Sequence, residues 1–125
     1  MSSKKVVCVI DDDASVRRTL CSQLEAAGFQ TVDAVDGTSG MAAVRQTNPS
    51  VVVVDIIMPE REGLSTIKEI KEKHPATRIL AISGGGIGDA DRYLQFALSL
   101  GADDTLTKPF RMADLIERVQ RLAAK

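Results

Sequence analysis

With 125 residues, 44% of them hydrophobic, the chain has the size of one compact domain and little room for a second, and residues 1–125 read as a single unit. Its 16 basic and 17 acidic side chains leave a formal net charge of −1, which argues against a nucleic-acid partner; an aromatic content of 3% without Trp excludes a base-stacking platform or an aromatic membrane belt. The first apolar run, Val6 to Ile10, is too short for a signal-peptide core or a membrane span, so a cytoplasmic protein with no membrane association is expected.

A short apolar run, a turn and an amphipathic stretch recur five times along the chain. Residues 5–10 (KVVCVI) read as a first strand, ended by Asp11, Asp12 and Asp13. Val16, Leu20, Leu24 and Ala27 then recur at helical spacing, and Gly28 marks the stop of that helix. A second strand is expected over 30–34 (QTVDA) and a third over 50–54 (SVVVV), leading directly to Asp55. Pro75 follows the third helix, strand 77–82 (TRILAI) leads to Ser83, and Gly101 stops the fourth helix. Strand 103–107 (DDTLT) leads to Lys108, and Met112, Leu115, Ile116, Val119 and Leu122 form the stripe of a last helix. Cys8 and Cys21 lie in apolar runs without a CxxC or a His partner and read as buried reduced thiols, and His74, in KEKHP, as an exposed helix-end cation.

This alternation predicts an α/β fold, a parallel sheet with helices on both faces, and the near-continuous aliphatic runs of the first, third and fourth strands place those strands at its centre. In a flavodoxin-like, doubly wound, five-stranded sheet of order 2-1-3-4-5 with five helices, ligands bind outside the carboxyl ends of the strands, where strand order reverses. Asp11, Asp12, Asp13, Asp55, Ser83 and Lys108 all follow strands and so converge on one rim. Clustered carboxylates raise one another's pKa unless a cation neutralises them, and Mg²⁺ takes one or two protein carboxylates, waters and a phosphate oxygen. An ionised aspartate with no neighbouring His or Cys base can attack phosphorus itself, with a metal, a lysine and a hydroxyl stabilising the transferred group; Lys108 and Ser83 suit the last two roles.

The strings CVIDDDASVRR, VVVVDIIMPEREG, LAISGGG and LTKPF, in this order and at these separations, resemble the response-regulator receiver domain of two-component signalling over the whole chain. The resemblance implies a phosphorylation-dependent switch, not an enzyme with a separate substrate. In it Asp55 accepts a phosphoryl group from a histidine kinase or phosphotransfer protein. Asp12 and Asp55 ligate Mg²⁺, Asp11 does so through water, and the carbonyl of Ile57 is a further ligand. Ser83 bonds a phosphoryl oxygen and Lys108 pairs with the phosphate. It further implies a cis peptide before Pro109, a loop shaped by Met58, Pro59 and Gly63, and a long-lived aspartyl phosphate, since neither Ile57 nor Gly85 can orient a water. Asp13 reads as a helix N-cap. The chain departs from the family in three places: Thr105 occupies the position of the usual aromatic residue, Glu62 replaces the usual aspartate before Gly63, and the glycine-rich segment after Ser83 is longer than is common.

Two rival readings are a haloacid-dehalogenase-like phosphatase, with Asp11 as nucleophile, Asp13 as acid/base and Ser83, Lys108 and the Asp103–Asp104 pair as the later motifs, and a receiver-like scaffold that is never phosphorylated. The downstream target is unspecified. In the fourth helix Leu94, Ala97 and Leu98 form the expected core stripe and Tyr93, Phe96 and Leu100 a second one, either covered by the glycine-rich segment or serving as a contact patch for a homodimer or a target.

Overall fold

The computed structural model describes residues 4–56, 62–84 and 90–125. Its elements run β1 (Val6–Ile10), α1 (Ala14–Ala26), β2 (Gln30–Ala34), α2 (Gly37–Thr47), β3 (Val51–Asp55), α3 (Glu62–Lys73), β4 (Arg78–Gly84), α4 (Ala90–Leu100), β5 (Asp104–Lys108) and α5 (Met112–Ala123). All strands pair parallel in the order β2-β1-β3-β4-β5, the expected doubly wound sheet.

The valine-rich β3 is buried along its whole length, because its branched side chains fill both faces of a covered sheet. Alternation then divides the core. Cys8, Ile10, Val52, Val54, Ile79 and Ala81 face Met41, Val44, Ile67, Ile70, Leu94 and Ala97 of α2, α3 and α4. Val7, Val9, Val51, Val53, Leu80, Ile82 and Leu106 face Leu20, Leu24, Leu115, Val119 and Leu122 of α1 and α5. Cys8 and Cys21 are free thiols, and burial pushes that of Cys8 up to about 12. Asp36 and Ser39 form a capping box at the start of α2, and Gly28, at φ 101°, takes the left-handed conformation that ends α1. No helix among the described residues is long and apolar enough to cross a membrane.

Four expectations shift. β3, β4 and β5 extend further at their carboxyl ends than the apolar runs indicate, because ladder pairs Asp55↔Ile82 and Gly84↔Lys108 keep polar and glycine residues in the sheet. Leu98 is 46% exposed instead of joining the core stripe: it lies 100° round the helix from buried Ala97, on the rim of the α4 contact. Tyr93 and Leu100, conversely, pack partly against the core, leaving Phe96, 55% exposed, as the outward member of the second stripe. His74, finally, is half-buried just past α3, where its N–H donates to the Ile70 carbonyl.

The amino end of the sheet is tied by Asp103. Its carboxylate accepts the Ile79 N–H at 2.8 Å and the Lys71 ammonium at 3.0 Å, and Arg78 approaches at 3.6 Å. Removing that acceptor leaves a backbone donor of β4 unmet inside the ladder. Asp103→Ala is therefore expected to lower unfolding stability by about 1–3 kcal/mol, read as a lower urea midpoint at unchanged slope; an unaltered midpoint would show the carboxylate to be dispensable.

Candidate functional site

The alternation that sorts the core also builds the site. Val7 and Val9 of β1, Val51 and Val53 of β3 and Leu106 of β5 all face α1 and α5, so the next positions in phase, Asp11, Asp55 and Lys108, emerge on that same face at the carboxyl edge. Lys108 Nζ lies 3.1 Å from Asp55 Oδ2 and 3.8 Å from Asp11 Oδ2. One carboxylate oxygen from each of Asp11, Asp12 and Asp55 comes within 4.8 Å of the others. Ser83 follows Ile82, the register partner of Asp55, and is fully buried. The structure thus assembles Asp11, Asp12, Asp55, Ser83 and Lys108 on one rim. Ile57, Met58, Pro59 and Gly85 lie outside the described residues. The Lys108–Pro109 peptide is cis, as expected.

Asp11 is 1% exposed and Asp55 5%, while Asp12 is exposed. Asp11 Oδ1 accepts the Asp13 N–H at 2.9 Å, but Oδ2 has no hydrogen-bond partner among the described residues, and neither has Ser83 Oγ. Burial raises the Asp11 pKa from the ordinary carboxylate range to about 6; the Asp13 N–H pulls it down, the Asp55 carboxylate pushes it up and Lys108 pulls it down. Three carboxylates face one ammonium. An all-oxygen donor set with excess negative charge and an unmet buried carboxylate oxygen suits a small hard divalent cation.

Two residues contribute more than the sequence indicates. Arg17, one turn into α1, donates from Nη1 to the Asp11 carbonyl at 2.8 Å and pairs through Nε with Asp33 at 3.0 Å, fixing the turn that presents the acidic run. The first of these contacts is made to a backbone carbonyl, which any residue type could supply. Gly63 does more than shape a loop: a Cβ there would sit 2.6 Å from the Asp55 carbonyl oxygen and from Ile56 Cα, so α3 meets the end of β3 backbone to backbone.

The phosphatase arrangement is not assembled. Asp13 caps α1, its Oδ1 accepting the N–H groups of Ser15 at 2.9 Å and Val16 at 3.3 Å, as an N-cap does. Asp103 and Asp104 sit at the opposite end of β5 from Lys108, roughly 13 Å away at ~3.3 Å per residue.

Because the folded-state pKa of Asp11 lies above its unfolded value, the carboxyl favours folding only when protonated. That contribution is fully present below the ordinary carboxylate pKa and is lost as pH rises through about 6. In chelator at pH 7.5, Asp11→Asn is expected to stabilise the protein by an amount on the order of 1–3 kcal/mol. The gap between variant and wild-type melting temperatures should narrow as pH falls through about 6 and close only below the ordinary carboxylate pKa; a gap constant with pH would contradict the assignment of charge burial to Asp11.

Comparison with known proteins agrees with this geometry. Residues 7–120 match the family model described as the response regulator receiver domain. The chain is 33% identical over 120 residues to the probable transcriptional regulator ycf27 of Cyanophora paradoxa, covering 96% of this chain and 48% of that protein. It is 34% identical over 116 residues to the transcriptional regulatory protein PrrA of Mycobacterium tuberculosis, covering 93% and 48%. The chain therefore spans about half the length of these regulators. Among solved structures, the receiver domain of the Francisella response regulator 1452 superposes with a TM-score of 0.85 at 30% identity, covering 97% of this chain and 98% of that one. On these matches, together with a buried aspartate held by a lysine beside an acidic cluster, the chain belongs to the response regulator receiver domain family, the phosphoacceptor switches of two-component signal transduction.

Proposed function

We propose that Asp55 is the phosphoacceptor of this switch, with Asp11 and Asp12 holding Mg²⁺ beside it and Ser83 and Lys108 receiving the transferred group. The observation that carries this reading is the 3.1 Å pairing of Lys108 with the buried Asp55 carboxylate, next to two buried polar atoms, Asp11 Oδ2 and Ser83 Oγ, without hydrogen-bond partners among the described residues. Native proteins seldom leave such atoms unmet unless a ligand completes them.

In the transfer, an Asp55 oxygen attacks the phosphorus of a phosphohistidine. The O–P bond forms as the P–N bond breaks, and the imidazole leaves with the electron pair and takes up a proton. Mg²⁺, when bound, neutralises charge on the phosphoryl oxygens and screens the carboxylates from one another. Lys108 holds Asp55 at rest and turns its ammonium to the phosphoryl oxygens once the carboxylate is esterified. Ser83 Oγ, already desolvated, donates to one of those oxygens at little further cost. The Asp11 carboxylate, raised to a pKa of about 6 without metal, is ionised when a divalent cation sits beside it.

The donor is a histidine kinase or a phosphotransfer protein, and the output is a protein partner that distinguishes the two states of a single receiver domain. The phosphorylated chain serves as a cytoplasmic signalling element and not as an enzyme with a separate substrate. The regulators it resembles are named for transcription and are about twice as long, so the same switch in this chain is read as governing an output made by another segment or another protein.

Incubation with a small phosphodonor and Mg²⁺ should place one phosphoryl group on Asp55, located by mass spectrometry. Asp55→Asn should abolish labelling with an unchanged melting profile, and excess chelator should reduce wild-type labelling at least ~10²-fold. Phosphate found on Asp11, or full labelling of Asp55→Asn, would overturn the assignment.

A further inference from the structure

To reach Asp55, Lys108 has to cross a strand. β4 lies between β3, which carries Asp55, and β5, which carries Lys108. The side chain therefore works across two inter-strand spacings, about 9–10 Å between backbones, to bring its ammonium 3.1 Å from Asp55 Oδ2. The residue it crosses is Gly84, the last residue of β4 and the register partner of Lys108. Leu80 and Ile82 face α1 and α5, so position 84 is in phase with Asp55 and Lys108 on that face.

The backbone does not call for glycine here, since Gly84, unlike Gly28 and Gly101, has no left-handed φ. What it gives up is space. A Cβ at 84 would stand 3.0 Å from Lys108 Cδ, 3.8 Å from Nζ and 3.9 Å from Cβ, and these are the nearest atoms it would meet. The lysine stem thus lies against the bare Cα of Gly84. Gly84 and Lys108 both border a cavity of about 560 Å³, walled further by Val16, Leu20, Phe110 and Met112, which offers room for the stem to be displaced.

We propose that Gly84 is a positioning residue for phosphoryl transfer: its missing Cβ forms the track along which Lys108 reaches Asp55. A side chain at this position lifts the stem toward the cavity and withdraws the ammonium from Asp55 and from the group Asp55 receives. This rests on the reading of Lys108 as the partner of the phosphoryl group. Two effects of opposite sign follow. Withdrawing the ammonium leaves Asp11, Asp12 and Asp55 with less compensating charge, so Mg²⁺ binds more tightly; phosphoryl transfer, which needs the lysine in place, slows. A general loosening of the site would weaken both.

The test compares wild type, Gly84→Ala, Lys108→Ala and the double variant by thermal melting, by calorimetric titration with Mg²⁺ and by labelling rate with a small phosphodonor. Gly84→Ala is expected to melt as wild type, to bind Mg²⁺ on the order of threefold more tightly and to label on the order of tenfold more slowly. In the Lys108→Ala background, where no stem is present, the same substitution should change neither quantity. If Gly84→Ala acts equally in both backgrounds, or weakens Mg²⁺ binding along with labelling, the inference about Gly84 is wrong while the lysine assignment stands. Lys108→Ala that labels as wild type would overturn the lysine assignment and this inference together.

Discussion

Two carboxylates, Asp11 and Asp55, are held almost entirely out of water within reach of a single ammonium. That arrangement is unfavourable by itself, because desolvation and mutual repulsion both oppose ionisation and one lysine cannot compensate two buried charges and a third beside them. Burial first, and the Asp55 carboxylate after it, push the Asp11 pKa upward accordingly. Much of the local structure acts to sustain it: the Asp13 N–H and the Arg17 guanidinium fix the turn after β1, and Lys108 is drawn across the end of β4.

The remainder of the fold supplies the rigidity such a site requires. The central strands are packed on both faces, and the helices bury complementary aliphatic stripes from above and below. A close-packed interior of branched side chains resists the relaxation by which buried like charges would separate. Backbone contact between Gly63 and the end of β3 removes the last freedom at Asp55, since α3 sits directly on its carbonyl. The Asp103 contacts tie β4, β5 and α3 at the amino end of the sheet, whereas the carboxyl end carries the buried charge.

The strands, their order and the carboxyl-edge residues were legible because each depends on a local pattern. Runs such as VVVVD announce buried parallel strands, and polar residues after them mark the rim. What escaped depends on tertiary approach. Arg17 acts through a backbone carbonyl and Gly84 by the side chain it lacks, so neither leaves a periodic or compositional trace, and the resemblance named Gly63 for its loop without showing how closely α3 approaches β3 there. The α4 stripe was misjudged for a related reason. Leu98 satisfies helical spacing as well as Leu94 does, but which arc of a broadly apolar helix is covered is decided by the width of the groove it enters. Glycines 84–86 and 88 resembled a loop in composition, whereas pairing with Lys108 holds Gly84 in the sheet.

The two groups that would receive a phosphoryl oxygen emerge on opposite faces of the sheet. Lys108 continues the phase of Leu106 beneath α1 and α5, whereas Ser83 continues that of Ile79 and Ala81, toward α3 and α4. An added dianion at Asp55 would therefore pull on both halves of the core at once. The halves are not equally free to respond. Arg118 of α5 donates to the Thr105 carbonyl at 2.7 Å and to Asp104 at 3.2 Å, pinning α5 to β5. Among the described residues α4 has no such brace in its exposed arc, where Phe96 stands clear of the core and Leu94 and Ala97 make the buried contacts. On the proposed reading, the less braced side of the sheet as seen from Asp55 lies beyond Ser83 and the end of β4 toward α4, on the helix that carries the most exposed large apolar side chain among the described residues.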